Sequence, residues 1–266
     1  MKMPSQHHKA IPFQGVQIKE FDVFQNASAS NARYVVRGPR SLDELEALLK
    51  LRYQVFRQSD LAKYVPENAI GIDVDKWDEQ AHHLGLWSED IYGVKAIGYL
   101  RVIGEIKTET APMIKLLGEK HPSLQSKLAD PNKCAIRFLE VFNESEPVKT
   151  WFKSLVSNGD SVVEASRLSV SPDLQHKSGA RTLIETALAV FISPQQATFG
   201  AMEVMDHHVS YYRHYGFKAI ASRFQPDIQR TSYLIAGHFS SLPERLQERF
   251  AAIKEEWKNN GSILSN

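Results

Sequence analysis

The amino-acid sequence predicts an α/β (α+β) protein in which a mixed central sheet is flanked by helices. Strand-like runs alternate with segments of helical period, and the chain from Val162 to Met205 is typical of a strand, a helix and a further strand. The 266 residues are 42% apolar, which is enough to bury a large core. We expect a polar N-terminal tail at 1–32, a domain at 33–238 with an insertion at 105–160, and an amphipathic C-terminal helix and tail at 239–266.

The first predicted elements are a strand that begins near Tyr34 and a helix that begins after Ser41. Ser41 and Glu44 have the spacing of a capping box, in which the serine side chain accepts a hydrogen bond from the first turn. Arg52 and Phe56 therefore share one face of this helix. Its helical spacing runs through Leu45, Leu48, Leu49, Arg52, Val55 and Phe56.

An irregular loop and then a β-hairpin follow. Residues Ser59–Ile72 contain Pro66, Asn68 and Gly71 and are predicted to be a loop that leads into the acidic run Asp73–Asp78. Period-2 patterning then predicts two paired strands. These strands are His82–Trp87 and Ala96–Ile103, with Ser88–Lys95 as their connection.

The predicted insertion carries a strand at Cys134–Val141 and a helix at Val148–Val156. Cys134 is the single cysteine, so an internal disulfide is excluded, and we expect an inert core thiol. Apolar residues here and later in the chain are either core or the lining of an acyl tunnel. They are Phe138, Leu139, Val141, Phe142 and Phe224.

The second half of the domain predicts a βαβ passage and a final pair of strands. The passage comprises a strand at Val162–Pro172, a helix at Arg181–Phe191 and a strand at Ala197–Met205. A short helix at His208–Tyr215 should end at Gly216, because glycine readily takes the left-handed conformation that closes a helix. The last strands are Phe217–Ser222 and Thr231–Gly237.

An amphipathic helix is predicted at the C-terminal end, capped by Ser241 with Glu244 three residues later. We expect its apolar face to pack on the parent domain, with a partner subunit of a homodimer or a peripheral membrane contact as the alternatives. That face consists of Leu242, Leu246, Phe250, Ile253 and Trp257.

Composition excludes several classes of protein. Thirty-two basic and 31 acidic residues give a net charge of +1, so no overall field attracts nucleic acid. The first thirty residues have no apolar run of signal-peptide length, and we expect a cytoplasmic protein. No metal site is predicted, because the histidine pairs lack supporting ligand spacing. These pairs are His82-His83 and His207-His208, and we expect His7-His8 to be solvated in the polar tail.

A candidate phosphate-binding turn lies between the Val162 strand and the next helix. Small residues within Gln175–Ala180 allow backbone N–H groups and the helix dipole to hold the phosphates of an acyl carrier. The turn resembles the Gln/Arg-x-x-Gly-x-Gly/Ala motif of the GNAT acyltransferases, with Ser178 in place of the first glycine. The resemblance implies a coenzyme A or acyl-carrier-protein thioester as co-substrate and no tightly bound cofactor. The carrier would contact Leu168, Ser169, Val170, Gln175, His176, Lys177, Ser178, Gly179, Ala180 and Arg181.

Residues Tyr211–Phe217 are similar to the Tyr-x-x-x-Gly-Phe segment that closes the carrier site in the same superfamily. This similarity places Tyr212 near the leaving sulfur, where its hydroxyl would protonate the thiolate or hydrogen-bond it. The alternative is a buried aromatic residue with a satisfied hydroxyl.

Four further motifs occur in an order that resembles the acyl-homoserine-lactone synthases and the N-acyl amino acid synthases. They are Arg52-x-x-x-Phe56, Asp73-x-Asp75-x-x-Asp78, the strand arginine Arg101, and Glu164-x-x-Arg167. The resemblance implies that Glu164 is the general base and that Asp75 and Asp78 form a network with Arg52 and Arg101. Buried Arg–Asp networks that only position loops are the structural alternative.

Physical chemistry supports the same interpretation of these charges. An amino acid acceptor needs a guanidinium for its carboxylate and carboxylates for its ammonium group. On a regular strand Arg167 would face away from Glu164 and Ser166, although a bulge would change that. We further expect a backbone N–H near Ser169 or Val170 to stabilise the oxyanion where the sheet splays open.

The sequence departs from the lactone synthases in two respects. Their tryptophan after the first helix is replaced by Leu61, Tyr64 and Val65, and this chain is longer through its central region and C-terminal helix, in which it looks more like the N-acyl amino acid synthases. The resemblance therefore favours an N-acyltransferase that moves a long-chain fatty acyl group to an amino acid. The alternatives are an acyl-homoserine-lactone synthase, a short-chain acetyl-CoA N-acetyltransferase and a non-catalytic protein that binds acyl carriers. For an enzyme, Glu164→Ala is expected to lower kcat about 100-fold and to leave folding intact.

Overall fold

The computed structural model describes residues 33–104, 108, 110–128, 136–172, 178–193 and 196–265. The strands are β1 (Arg33–Arg37), β2 (Ala81–Asp90), β3 (Gly93–Ile103), β4 (Val162–Val170), β5 (Phe199–Met205), β6 (Lys218–Gln225), β7 (Arg230–His238) and β8 (Ser262–Ser265). The helices are α1 (Leu42–Arg57), α2 (Ala111–Lys120), α3 (Gln125–Leu128), α4 (Arg137–Val141), α5 (Glu146–Ser157), α6 (Gly179–Phe191), α7 (Val209–Arg213) and α8 (Glu244–Asn260).

The eight strands form one mixed sheet in the order β6-β7-β5-β4-β3-β2-β1-β8. Strands β4 and β5 are parallel, and the other neighbouring pairs are antiparallel. Helix α6 connects β4 to β5, as a parallel pair requires. The predicted fold class, a mixed sheet flanked by helices, is confirmed.

Helices cover both faces of the sheet. The apolar sides of α6 and α8 pack on one face, where Leu183 and Phe250 belong to the same buried cluster. Helices α1 and α2 cover part of the opposite face, and α4 and α5 cover the rest around Phe138. Leu246 and Phe250 of α8 are buried, so the prediction that this helix packs on the parent domain is confirmed.

Local signals explain where α1 and α7 begin and end. The Ser41 side chain accepts a hydrogen bond from the Glu44 N–H at 3.2 Å, as predicted. Glu44 bonds the N–H of Arg40, at 2.7 Å. Gly216 follows α7 with φ of +80°, and a Cβ atom there would lie 2.4 Å from the carbonyl oxygen of Ser241. Only glycine fits that position without strain.

Several predicted boundaries are wrong. The hairpin strands are longer than predicted, and Ile91 and Tyr92 alone connect β2 to β3. The strand predicted at Cys134–Val141 is helix α4 from Arg137 onwards, while Cys134 itself lies outside the described residues. Helix α8 begins after Pro243 without a side-chain cap, so Ser241 is not its cap. Strand β8, which pairs with β1, was not predicted.

Within the described part of the chain, no helix is long and apolar enough to cross a membrane.

Candidate active site

The two parallel strands at the centre of the sheet separate along their length. Their paired residues run from Val162 with Phe199 to Glu164 with Ala201. Beyond those pairs β4 continues to Val170 and β5 to Met205, and these described residues form no further pairs with each other. A gap therefore opens between the two strands in the middle of the sheet.

A β-bulge shapes the β4 side of the gap. Tyr99 pairs with Ser169 but Arg101 pairs with Ser166, so β4 contains one extra residue opposite β3. Arg167 lies in the bulge with φ of +58°. The bulge turns Arg167 to the same side as Ser166, contrary to simple strand alternation.

Three arginines and three aspartates meet beside the gap, where Asp73 Oδ2 lies 2.8 Å from Arg52 Nε. The Arg52 guanidinium donates to both carboxylate oxygens of Asp78, each at 2.8 Å. Arg101 Nη1 donates to Asp75 at 2.6 Å and to Asp78 at 3.0 Å, and Arg167 Nη2 donates to the other oxygen of Asp75 at 3.1 Å. The structure thus brings together five of the predicted site residues.

Most of this network is sealed from solvent. Arg52, Arg101 and Asp78 are fully buried. Burial alone would raise the pKa of Asp78, but the guanidinium groups of Arg52 and Arg101 hold it well below its usual range. Asp75 has a lowered pKa for the same reasons, with Arg101 as its main partner. Both aspartates are therefore ionised at neutral pH.

A buried tyrosine–histidine chain supports the network. Arg52 Nη1 donates to the Tyr99 oxygen at 3.0 Å, and the Tyr99 hydroxyl and His83 Nδ1 are 2.9 Å apart. His83 Nε2 lies 2.9 Å from the Asp78 carbonyl oxygen. These contacts are satisfied together when the histidine is neutral and protonated at Nε2. Burial lowers the pKa of His83 from 6.5 to about 4.

The buried neutral histidine predicts a loss of stability in mild acid. The unfolded chain takes up a proton on His83 below its ordinary pKa, whereas the folded protein does so only near pH 4. Its contribution to the free energy of unfolding is therefore complete above pH 6.5 and falls towards pH 4, by at most ~1.4 kcal/mol per pH unit. We expect the free energy of unfolding, measured by urea titration at several pH values in this interval, to decrease less steeply with falling pH in His83→Gln than in wild type. The control variant His214→Gln, at an exposed position, should keep the wild-type dependence of stability on pH. The same pH dependence in all three proteins would contradict a neutral buried His83.

Glu164 is placed differently from the general base that the resemblance implies. Its side chain is fully buried, and its oxygens accept hydrogen bonds from Arg137 Nε at 3.0 Å and from the Phe138 N–H at 2.8 Å. Burial raises its pKa despite the Arg137 guanidinium. Arg137 and Phe138 thus separate Glu164 from the adjoining groove.

Arg137 and Glu203 are two site residues that were not predicted from the sequence. Arg137 bridges two carboxylates, because its Nη2 also donates to Glu203 Oε2 at 2.6 Å. Burial would raise the pKa of Glu203, but Arg137 outweighs it and the pKa is lowered. Arg137 lay in a segment predicted as a strand, and an isolated glutamate on β5 carries no motif. No local pattern in the sequence marked either residue.

A groove of about 620 Å³ opens onto the gap. A smaller cavity of about 70 Å³ lies between the separated strands. Both cavities are lined by Ser166, Arg167, Leu168, Glu203, Val204 and Tyr212. These six residues therefore mark where the groove enters the sheet.

Tyr212 lies on this common wall, as its predicted position near the reacting atoms requires. It is 7% exposed, and burial raises its pKa above the ordinary value, so the hydroxyl stays protonated at neutral pH. His207 and His208 precede α7 and line the same groove, with their rings 4.0 Å apart. Burial lowers the pKa of His208.

The predicted carrier-binding residues are described in part. Leu168, Ser169 and Val170 lie on the β4 side of the gap. Ser178 precedes α6, whose first residues are Gly179, Ala180 and Arg181, and Arg181 Nε donates to Glu185 at 2.8 Å. A Cβ atom on Gly179 would lie 3.1 Å from the Leu86 side chain, so this end of the helix approaches the sheet closely. Gln175, His176 and Lys177 lie outside the described residues, as do His7 and His8.

A model of the family described as an acetyltransferase (GNAT) domain matches residues 51–185, just over half of the chain. The chain belongs to the GNAT acetyltransferase family. The match includes the second half of α1, the network and the whole of β4. This GNAT protein is therefore an acyltransferase, and the resemblance of its motifs to the GNAT acyltransferases is confirmed.

Solved structures give a more distant comparison. FeeM, an N-acyl amino acid synthase from uncultured soil microbes, is 13% identical, with 82% of this chain and 98% of FeeM covered and a TM-score of 0.48. BjaI, a CoA-dependent acyl-homoserine lactone synthase, is 16% identical, with 82% and 89% covered and a TM-score of 0.47. Escherichia coli ElaA is 16% identical, with 78% and 99% covered and a TM-score of 0.43. No curated protein sequence matches the chain. Likenesses in this range carry no information about the substrate.

Proposed function

We propose that this GNAT protein transfers a fatty acyl group from a carrier thioester to the amine of an amino acid or a similar carboxylate-bearing acceptor. One observation carries the proposal. The groove that opens onto the β4–β5 gap combines an extended apolar wall with a cluster of guanidinium groups. The apolar wall suits an acyl chain, and the guanidinium groups suit the carboxylate of an acceptor.

The size and lining of the groove favour a long acyl chain. Its volume of about 620 Å³ falls in the range of pockets that enclose drug-sized ligands, and an acetyl group would leave most of it unfilled. Burying an aliphatic chain there stabilises the complex by ~0.8 kcal/mol per methylene. The apolar wall comprises Phe56, Leu61, Tyr64, Trp77, Val141, Leu168, Val204, Met205, Tyr212 and Ile228.

The charges of the groove favour an acceptor with a carboxylate. Four arginines line it, namely Arg137, Arg167, Arg223 and Arg230, against three carboxylates, Asp60, Asp75 and Glu203. Arg223 and Arg230 are 47% and 43% exposed, and their nearest carboxylate partners lie at 3.7–4.0 Å. A substrate carboxylate forms shorter, bidentate contacts with such a guanidinium, which favours its binding.

The backbone of β4 supplies a donor for the oxyanion in this proposal. The Ser171 N–H donates to the Ile97 carbonyl on β3 at 2.9 Å. Because successive N–H groups of a strand point in opposite directions, the Val170 N–H points away from β3, towards the gap. A thioester carbonyl placed there would receive this bond as negative charge develops in the transition state.

The proposed reaction needs an ordered loss and gain of protons. The acceptor ammonium first releases one proton to become a neutral amine, which then attacks the thioester carbonyl. The new C–N bond forms, the C–S bond breaks, and Tyr212 donates its proton to the departing sulfur. The tyrosinate recovers a proton from the nitrogen of the new amide. Orientation of the two substrates and the Val170 dipole would supply most of the acceleration.

The acyl donor in this proposal is a thioester of coenzyme A or of acyl carrier protein. Both carriers end in a phosphopantetheine arm, whose phosphate suits the N-terminus of a helix. We assign that role to the start of α6, at Ser178–Arg181, together with the predicted contacts at Gln175, His176 and Lys177.

Loss of the Tyr212 hydroxyl should slow the reaction. Purified protein incubated with thioesters of graded chain length and a mixture of amino acids should release free thiol and form N-acyl amino acids. Tyr212→Phe should lower kcat by ~10²-fold, as expected for loss of a proton donor. Tyr211→Phe, on the adjacent residue, serves as the matched control and should stay within about threefold of wild type.

The outcomes separate the alternatives. Turnover restricted to acetyl-CoA would identify a short-chain N-acetyltransferase, and a lactone formed with S-adenosylmethionine would identify a lactone synthase. Thioester binding without thiol release, under conditions that include both carriers, would contradict catalysis and leave a carrier-binding protein. Unchanged kcat in Tyr212→Phe would remove Tyr212 from the mechanism.

A further inference from the structure

Glu203 is a carboxylate at the start of the β4–β5 gap. It lies on β5 two residues beyond Ala201, which is the last β5 residue paired with β4. Continuing that register would place Ser166 opposite Glu203 across the gap. Glu203 lines both the groove and the inner cavity, as Tyr212 does. A substrate at the gap would therefore contact both side chains.

The carboxylates predicted from the sequence are each engaged by arginines. Glu164 is fully buried behind Arg137, and Asp78 is enclosed by Arg52 and Arg101. Asp75 lines the groove, but each of its oxygens already contacts an arginine.

Charge distinguishes Glu203 from Asp75. Asp75 has two close guanidinium partners, whereas Glu203 has one, Arg137, which it shares with Glu164. Its Oε1 receives the neutral donors Ser232 at 2.8 Å and Gln225 at 3.2 Å. Arg137 lowers the pKa of Glu203 and keeps it ionised, but Glu203 shares this guanidinium with Glu164, so a cation in the groove would give Glu203 a second close positive partner. The Arg223 guanidinium is 3.8 Å away and half exposed, so solvent screens its contribution.

We propose that Glu203 binds the ammonium group of the acceptor at the gap, and that Arg137, itself held by Glu164, positions the Glu203 carboxylate. This inference rests on the proposed function, because it assigns the amine subsite of that reaction. The ammonium donates hydrogen bonds to Glu203, loses one proton through that carboxylate to water in the groove, and attacks the thioester as a neutral amine. Glu203 ends the cycle ionised, as it began.

Acceptor charge provides the test. Glu203→Gln should raise the KM for an amino acid at least tenfold and leave the KM for the thioester within twofold. The penalty should shrink to less than threefold for an alkoxyamine acid, because an alkoxyamine is unprotonated at neutral pH and needs no carboxylate. Glu140→Gln is the matched control, since it makes the same substitution at a partly exposed glutamate that pairs with Lys76. It should leave both KM values unchanged.

Each result has one meaning. A KM does not depend on the fraction of folded enzyme, so a destabilised variant still reports on the subsite, and Glu203→Asp provides a second readout with the charge retained. If wild type acylates amino acids and Glu203→Gln raises the KM equally for the amino acid and for the alkoxyamine acid, Glu203 is structural and the inference is overturned. If wild type acylates no amine, the proposed function itself fails, and the inference fails with it.

Discussion

Replacing Asp78 by asparagine should lower the free energy of unfolding by ~3–5 kcal/mol, because it leaves buried positive charge without compensation. Asp78 is fully buried, bonds Arg52 through both oxygens and also contacts Arg101. An asparagine keeps the shape but supplies one acceptor oxygen and no charge. The two guanidinium groups would then share Asp73 and Asp75 as their remaining partners.

Equilibrium urea unfolding at pH 7 measures this effect. Asp227→Asn is the matched control, because Asp227 pairs with Lys63 at the surface, at 3.2 Å, and its loss should change stability by less than ~1 kcal/mol. A loss of under 1 kcal/mol in Asp78→Asn would show that water or rearranged side chains compensate the arginines, contrary to a sealed network.

Replacing Glu164 by alanine should also destabilise the protein, by ~3–5 kcal/mol. The substitution leaves the Arg137 guanidinium with Glu203 alone and the buried Phe138 N–H without its acceptor. As a general base, Glu164 was predicted to tolerate this substitution with intact folding and a kcat lowered about 100-fold. The buried geometry instead predicts that stability is the larger loss.

Glu164→Gln separates these two expectations. Glutamine keeps one acceptor oxygen for Phe138 or Arg137, so the variant should fold at low temperature and allow kinetics on the folded fraction. Its kcat per folded molecule should stay within about tenfold of wild type, since Arg137 and Phe138 shield Glu164 from the groove. A 100-fold lower kcat with unchanged stability would restore Glu164 as the general base.

Local patterns in the sequence predicted the parts of the site that local structure determines. Helical spacing placed Arg52 and Phe56 on one face, and both reach the network. Arg52 bonds Asp78, and the Phe56 ring centre lies 5.3 Å from the Arg167 guanidinium carbon. The acidic run places Asp75 and Asp78 together, because the Asp75 N–H bonds the Asp78 carboxylate at 2.8 Å.

Features that depend on contacts between distant segments were not predictable. The bulge that redirects Arg167 arises from register against β3, and nothing in the β4 sequence specifies it. Arg137 reaches Glu203 across 66 positions of the chain. Strand β8 follows Gly261, whose positive φ ends α8, and its place in the sheet depends on the free edge of β1. Long-range pairing of this kind has no local periodicity to reveal it.

The proposed synthesis of N-acyl amino acids can be tested by mass spectrometry of lipid extracts from cells overproducing the protein. Extracts from wild-type cells should contain N-acyl amino acids that are absent from cells carrying the empty vector and strongly reduced with Tyr212→Phe. The masses would identify the acceptor and the length of the acyl chain together. Identical extracts from all three cultures, with soluble wild-type protein present, would contradict a fatty N-acyltransferase.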